Sequence, residues 1–491
     1  MRTRRQPAVP RDDVVVSRDL APTPWLAITL AALAYSGLLY ATLWRYGYHR
    51  DELYFRMLPV RWGYVDQPLL TPLLAKLSVA LFGDTVYGLR ALAPLFLAAG
   101  LVLAALTIRE LGGTRRMQAL SAWGYGSASL PLLSGHLLVT GTVDLTLWSA
   151  ALLTITRALL RDPRWWVAAG AVLGVAADNK LLVALLVVSV VAGLLVCGPR
   201  SAPRELWLGV LAAIVLAAPS IGYQVSHGLP QLTMARALNA DNADDVRSQL
   251  IPYQILLIGP PLFCVAVAGF VGLLRRAEWR RVRGLAVAYV VALAINFAAG
   301  GQIYYAFGLL AYLLAAGWVT VRAPGWLLAA GIGVNAIVSA LIAVPLLPVS
   351  DSGIQASLNS TIGDQVGWPT YVRTVERVWD TLPDAEHERA VIVTGNYGEA
   401  GAIDRYAPSL PVYSAQNELY YLHQPPADKD VVLVWTEDVN ATEHRFEDCR
   451  QAAVLDNGVG VDNEEQGSVL VVCRLPASGW PTLWPTLQHF D

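Results

Sequence analysis

Apolar and polar residues alternate along this chain on the scale of a membrane. Eleven apolar runs, at about 25–44, 86–108, 117–135, 142–160, 165–178, 181–197, 206–221, 253–274, 284–299, 303–320 and 325–348, are separated by polar stretches. A membrane span needs about 20 such residues, so the pattern predicts a mainly α, polytopic bundle of about eleven spans, the fifth and sixth being short. Arginines mark every second boundary. Arg2, Arg4, Arg5, Arg11 and Arg18 precede the first run, and Arg109/Arg115/Arg116, Arg161/Arg164, Arg200/Arg204, Arg275/Arg276/Arg280/Arg281/Arg283 and Arg322 lie in the even-numbered connections. Short cytoplasmic loops collect Lys and Arg. The alternation therefore predicts an N-terminus inside and the longer connections, 45–85, 221–252 and everything after about 349, outside. The polar lead is long and the first apolar run is long enough to remain as an anchor, so no signal peptide is expected.

The pattern changes after Pro348. Residues 350–491 contain no spanning run but do contain short β-rich runs, Ala390-Val391-Ile392-Val393-Thr394 and Val431-Val432-Leu433-Val434-Trp435, with a helical stretch near 368–381 before the first. Strands alternating with helical patterns predict a small extracytoplasmic α/β domain. The expected organisation is a cytoplasmic tail at 1–24, a transmembrane domain at 25–349 and an outer domain at 350–491.

Composition fits that division. The chain is 55 % hydrophobic and 15 % charged, against about 25 % charged in soluble domains. Its basic residues are spread through loops instead of forming a patch, so no nucleic-acid partner is expected. Of four cysteines, Cys197 and Cys264 lie in or near the membrane, and Cys449 and Cys473 are an external pair compatible with a disulfide. There is no Walker loop, no G-x-G-x-x-G after a strand, no H-E-x-x-H and no Cys/His metal spacing.

Candidate chemistry gathers on the outer side of this topology. Directly after the first span, Tyr48-His49-Arg50-Asp51-Glu52-Leu53-Tyr54-Phe55 holds two adjacent carboxylates. Ionisable groups beside a membrane core are costly and mark sites, and a carboxylate there can serve as a general base. A solvated pair answering Arg50 and Arg56 is the equal alternative. Residues 51–62 suit a short interfacial helix, and Gly63-Tyr64-Val65-Asp66-Gln67-Pro68 turns into a second. Asp144 heads the fourth span, where helix capping is its simplest role. Lys180, one of three lysines, is a candidate phosphate ligand, or else snorkels or pairs with Asp178. Tyr223-Gln224-Val225-Ser226-His227-Gly228-Leu229-Pro230 and Gly300-Gly301-Gln302-Ile303-Tyr304-Tyr305 read equally as turns with interfacial tyrosines.

In this order, the motifs resemble the bacterial members of glycosyltransferase family 39, GT-C-fold relatives of protein O-mannosyltransferases and of the aminoarabinose transferase that modifies lipid A. The resemblance covers about residues 25–350 and is most specific from Tyr48 to Thr71. It reaches the outer domain at Thr394-Gly395-Asn396-Tyr397-Gly398-Glu399-Ala400-Gly401-Ala402-Ile403. It implies a hexosyl- or pentosyltransferase in the bacterial cytoplasmic membrane. Such an enzyme moves a sugar from a polyprenyl-phosphate donor to a cell-envelope lipid, glycan or protein acceptor on the outer face. No cofactor is implied, and a divalent cation stays open. Asp51 takes the place of the catalytic or acceptor-orienting acid, with Glu52 beside it. Asp144 takes that of the second acid, and Lys180, Arg50, His49, Gln67, Gln224, His227, Gln302, Tyr304 and Tyr305 those of donor-phosphate or substrate contacts. The chain departs from the family at Gln67-Pro68-Leu69, where His-Pro-Pro is usual, at Gln302, where Lys or His is common, and at Tyr223-Gln224, where Trp-Gln is common. A transporter or flippase of lipid-linked substrates and an inactive GT-C-like scaffold are the competing expectations. The clustering of charges at one face and the lack of an internal repeat favour the enzyme.

Overall fold

The computed structural model describes residues 20–490. The arginines of the N-terminal tail, Arg2, Arg4, Arg5, Arg11 and Arg18, lie outside the described residues. Among the described residues, four helices are long and apolar enough to cross a membrane: Trp25–Thr42, Val86–Glu110, Thr140–Leu160 and Gly325–Ala343. The number rises to six if each of two bent pairs forms one span, and Trp165–Ala177, Val183–Cys197, Gly284–Ala299 and Phe307–Thr320 are shorter apolar helices at other expected spans. Phe307–Thr320 is buried on nearly all sides, as expected of a helix that is apolar all round. Glycines set the closest helix crossings. A Cβ on Gly170 would lie 1.8 Å from the Gly209 carbonyl oxygen, and one on Gly193 would lie 2.0 Å from that of Gly284. Small residues permit such approach where lipid supplies no hydrophobic drive.

Three expected elements differ. The run at 253–274 is not one straight helix: it bends by 103° between Ile258 and Pro260. Pro260 cannot donate to the preceding turn, and Gly259 adopts φ +91° with its α-carbon against the Asn335 amide. The run at 117–135 is broken into Arg115–Gly126 and Ser129–His136. The expected 221–252 connection is largely helical, since Pro230–Ile258 runs for 29 residues. Its polar first half hides it from an apolar-run reading, but Pro in the first turn is a favoured helix start.

The C-terminal part contains a five-stranded sheet in the order β2-β1-β3-β5-β4, with β1 Ala390–Thr394, β2 Val412–Ser414, β3 Val431–Thr436, β4 Glu447–Val454 and β5 Val469–Arg474. β1 pairs in parallel with β2 and β3, whereas β5 is antiparallel to both β3 and β4. Residues of β1 and β3 alternate between two cores, as the two-residue strand period requires. Val391, Val393, Val432 and Val434 meet Trp480 and Trp484 on one face. Ile392, Leu433 and Trp435 meet Val375 and Ile403 on the other. Cys449 and Cys473 form a disulfide joining β4 to β5.

The second of those cores does not stop at residue 350. It takes in Tyr48, Leu53, Tyr54, Phe55 and Ala75 from the 45–85 connection. The Arg50–Met57 helix lies on the Tyr397–Tyr406 helix at glycines: a Cβ on Gly401 would lie 2.8 Å from the Leu53 Cβ, and one on Gly398 would lie 2.9 Å from the Arg50 Cβ. Ion pairs surround the crossing, from Arg56 to Asp84 and Asp404 and from Arg61 to Glu418. The change in composition is therefore not a boundary in packing.

Candidate active site

Asp51 and Glu52 occupy the first turn of the Arg50–Met57 helix, which starts with a capping box. The Asp51 amide donates to His49 Nδ1 (3.2 Å) and the His49 amide to Glu52 Oε2 (2.9 Å). Successive helical residues point roughly 100° apart, so the two carboxylates face different surroundings. Asp51 lines a cavity of about 530 Å³. Glu52 is buried in the core against Arg90, both side chains 0 % exposed. Arg90 Nη2 donates to Oε2 at 2.7 Å and the Leu138 amide to Oε1 at 3.0 Å. Arg90 also bonds the carbonyls of Leu43 and Gly47. The expectation of Glu52 as a catalytic partner meets a carboxylate whose oxygens are already engaged in holding the loop together.

Asp144 lines the same cavity. It is the fifth residue of the Thr140–Leu160 helix and does not cap it, because Thr142 Oγ1 accepts from the Val139 amide instead. Asp144 is 7 % exposed and its Oδ1 has no hydrogen-bond partner. Buried polar atoms are nearly always paired, so an orphaned carboxylate oxygen on a cavity wall is suited to a ligand donor. Gln302, Tyr304 and Tyr305 line the cavity too. The Gly284–Ala299 helix ends at Gly300 in the left-handed region (φ +59°), a favoured C-terminal stop, and the chain then turns these residues inward.

Lys180 stands behind that wall. Its ammonium lies 4.7 Å from the Tyr305 ring centre and 5.4 Å from that of Tyr304, within electrostatic reach of Asp144. It does not pair with Asp178, which accepts from Ser220 Oγ (2.6 Å). Asn179 fixes the turn by accepting from Thr71 Oγ1 (2.6 Å) and donating to the Thr140 carbonyl (3.0 Å).

Of the residues expected at the site, His49, Asp51, Asp144, Gln302, Tyr304 and Tyr305 line the cavity. Arg50, Glu52, Gln67, Lys180, Gln224 and His227 do not. Arg50 pairs with Glu464 (3.1 Å). Gln224 Oε1 accepts from the Gln231 amide (3.1 Å), closing the turn before the Pro230–Ile258 helix, and His227 stacks on Tyr223. Gln67 is buried with its Nε2 unpartnered. Among the described residues, no group of three or more His, Cys, Asp or Glu side chains is placed to hold a metal ion.

Two acids beside the site were not singled out from the sequence. Asp66 accepts from the Tyr54 hydroxyl (3.1 Å), and burial, reinforced by Glu418, pushes its carboxyl up to about 7. The only sequence signal for it was its place before Gln67-Pro68. Glu465 is 1 % exposed, neither of its oxygens has a partner, and burial pushes it up to about 7 against the opposing pull of Arg50. A carboxyl raised by folding resists ionisation in the native state. The stability it contributes is complete below its ordinary value near 4.5 and is lost as the pH climbs towards 7. Glu465→Gln, which stays neutral, should therefore match the parent at pH 4.5 and exceed it at pH 8 by about 3 kcal/mol. Thermal unfolding across that range checks this, and a gap independent of pH would refute it.

Comparison with known proteins adds a match over part of the chain. Residues 66–223 match the dolichyl-phosphate-mannose-protein mannosyltransferase family. That stretch holds Asp66, Asp144 and Lys180 but ends before the C-terminal part and begins after Asp51. The crystal structure of ArnT from Cupriavidus metallidurans in the apo state aligns with a TM-score of 0.62 at 15 % identity, over 91 % of this chain and 97 % of that one. The same protein bound to undecaprenyl phosphate aligns with a TM-score of 0.58 at 14 % identity, over 92 % and 98 %. The chain therefore shares the fold of ArnT. No curated protein matches the chain.

Proposed function

We propose that this protein is a multi-pass membrane glycosyltransferase that moves a hexose or pentose from a polyprenyl-phosphate donor to a cell-envelope acceptor on the outer face of a bacterial cytoplasmic membrane. The observation that carries this reading is the placement of Asp51 and Asp144 on one cavity, with Lys180 behind its tyrosine wall. The family match and the GT-C fold support it, and undecaprenyl phosphate bound to ArnT supports the class of donor. The arginine alternation supports an N-inside, C-outside orientation, with residues 25–349 and 350–491 both contributing to the site.

In the proposed reaction, Asp51 takes the proton of an acceptor hydroxyl as that oxygen attacks the anomeric carbon. The bond from that carbon to the phosphate oxygen breaks, and the polyprenyl phosphate leaves with the electron pair. Asp144 accepts a hydrogen bond from a sugar hydroxyl through its unpaired oxygen. Lys180 offsets charge growing on the phosphate from behind the tyrosine wall, so its effect falls below the roughly 10²–10³-fold of a direct donor. Lys180→Ala should thus lower kcat/KM for the lipid donor by about 10-fold, with a modest loss of thermal stability from its two ring contacts. An unaltered kcat/KM would remove the phosphate role. Mass spectrometry of envelope glycans and glycoproteins from a deletion strain should show one sugar modification missing and restored by the parent gene but not by Asp51→Asn. An unchanged profile would reject the transferase reading.

A further inference from the structure

We propose that Tyr397, delivered by the C-terminal part of the chain, is a positioning residue for Asp51. The inference rests on the proposed role of Asp51 as base. The Tyr397 hydroxyl donates to Asp51 Oδ1 at 2.8 Å across 346 residues of sequence. A carboxylate acting as a base must present one oxygen to the acceptor. Anchoring Oδ1 fixes rotation about the Cβ–Cγ bond and leaves Oδ2 for the cavity.

The phenol is itself held from several directions. Its helix begins with a capping box in which the Glu399 amide donates to Asn396 Oδ1 (2.9 Å). The Tyr397 amide donates to Gln416 Oε1 (2.6 Å). The ring lies between Tyr54, whose ring centre is 4.7 Å away, and the Arg50 guanidinium at 5.2 Å. Gly398 and Gly401 let the helix approach the Asp51 helix closely enough for this bond, since side chains there would meet Arg50 and Leu53. Tyr54 extends the arrangement, donating to Asp66 and accepting from the Glu418 amide (3.2 Å). Two tyrosines in ring contact thus join Asp51 to Asp66, one tyrosine coming from each part of the chain. Such support of a reacting group by locked neighbours is what precise placement requires.

The test compares the full-length parent, Tyr397→Phe, Asp51→Asn and Tyr397 replaced by fluorotyrosines of graded acidity, all in lipid nanodiscs. The donor probe is undecaprenyl-phosphate-linked mannose. Tyr397→Phe keeps the ring, so thermal stability and donor KM should stay within about twofold of the parent, while loss of a hydrogen bond to a charged group should lower kcat by about 10-fold. In the fluorotyrosine series, kcat should vary with phenol acidity, which a purely structural contact would not produce. Independently of turnover, the infrared band assigned to Asp51, by subtracting the Asp51→Asn spectrum, should shift in Tyr397→Phe. An unshifted band overturns the proposal. Full turnover in Tyr397→Phe beside a dead Asp51→Asn overturns the positioning role alone. Full turnover in both variants overturns the base assignment as well.

Discussion

Asp51→Asn is expected to reduce sugar transfer by about 10²–10⁴-fold, the usual contribution of a general base, with expression and thermal stability close to the parent. The amide keeps the size of the carboxylate and can still meet the Tyr397 hydroxyl, which can turn to donate to the amide oxygen. What it cannot do is take a proton from an acceptor hydroxyl. Loss should fall on kcat, because an interaction used only at the transition state leaves ground-state binding of the lipid donor intact. The measurement is turnover and donor KM for purified protein in nanodiscs, with mannosyl undecaprenyl phosphate as donor and envelope extract as acceptor. An active, normally folded Asp51→Asn would remove the base assignment, whereas a folded parent that transfers no sugar would make transport of a lipid-linked substrate the better reading.

Glu52→Gln should act on a different quantity. Removing its charge strands the Arg90 guanidinium, fully buried and otherwise bonded to the carbonyls of Leu43 and Gly47 and to Gln365. Breaking one side of a buried ion pair costs about 3–5 kcal/mol, whereas replacing both partners by apolar groups of similar volume is far milder. Glu52→Gln should therefore lower Tm and yield sharply, and Glu52→Leu combined with Arg90→Met should recover much of the loss. Residual activity per folded molecule should exceed that of Asp51→Asn. A stable but inactive Glu52→Gln would return Glu52 to the chemistry.

The contrast between these neighbours shows where sequence reading reaches its limit. Chemical type and adjacency marked Asp51-Glu52 as exceptional, and the membrane-length apolar runs identified the helical class. The strands at 390–394 and 431–436 were equally visible, because a buried strand is a short continuous run of β-branched residues whatever surrounds it. The Asp144 motif was legible too, but its capping role was not the one adopted, since Thr142, two residues earlier, meets the Val139 amide.

By itself, the sequence determined those local and solvent-driven features: which segments are apolar enough for lipid, where the composition becomes soluble, and which unusual polar residues lie beside the spans. Each depends on a few consecutive residues and on transfer from water. Only the tertiary structure decided that Asp51 faces a cavity while Glu52 binds Arg90. Only it placed Lys180 on Tyr304 and Tyr305 and folded the polar 230–245 stretch into a helix. It also brought Tyr397 onto Asp51 through a core shared by the two parts of the chain. These outcomes rest on contacts between residues tens to hundreds of positions apart, for which periodicity and composition carry no record.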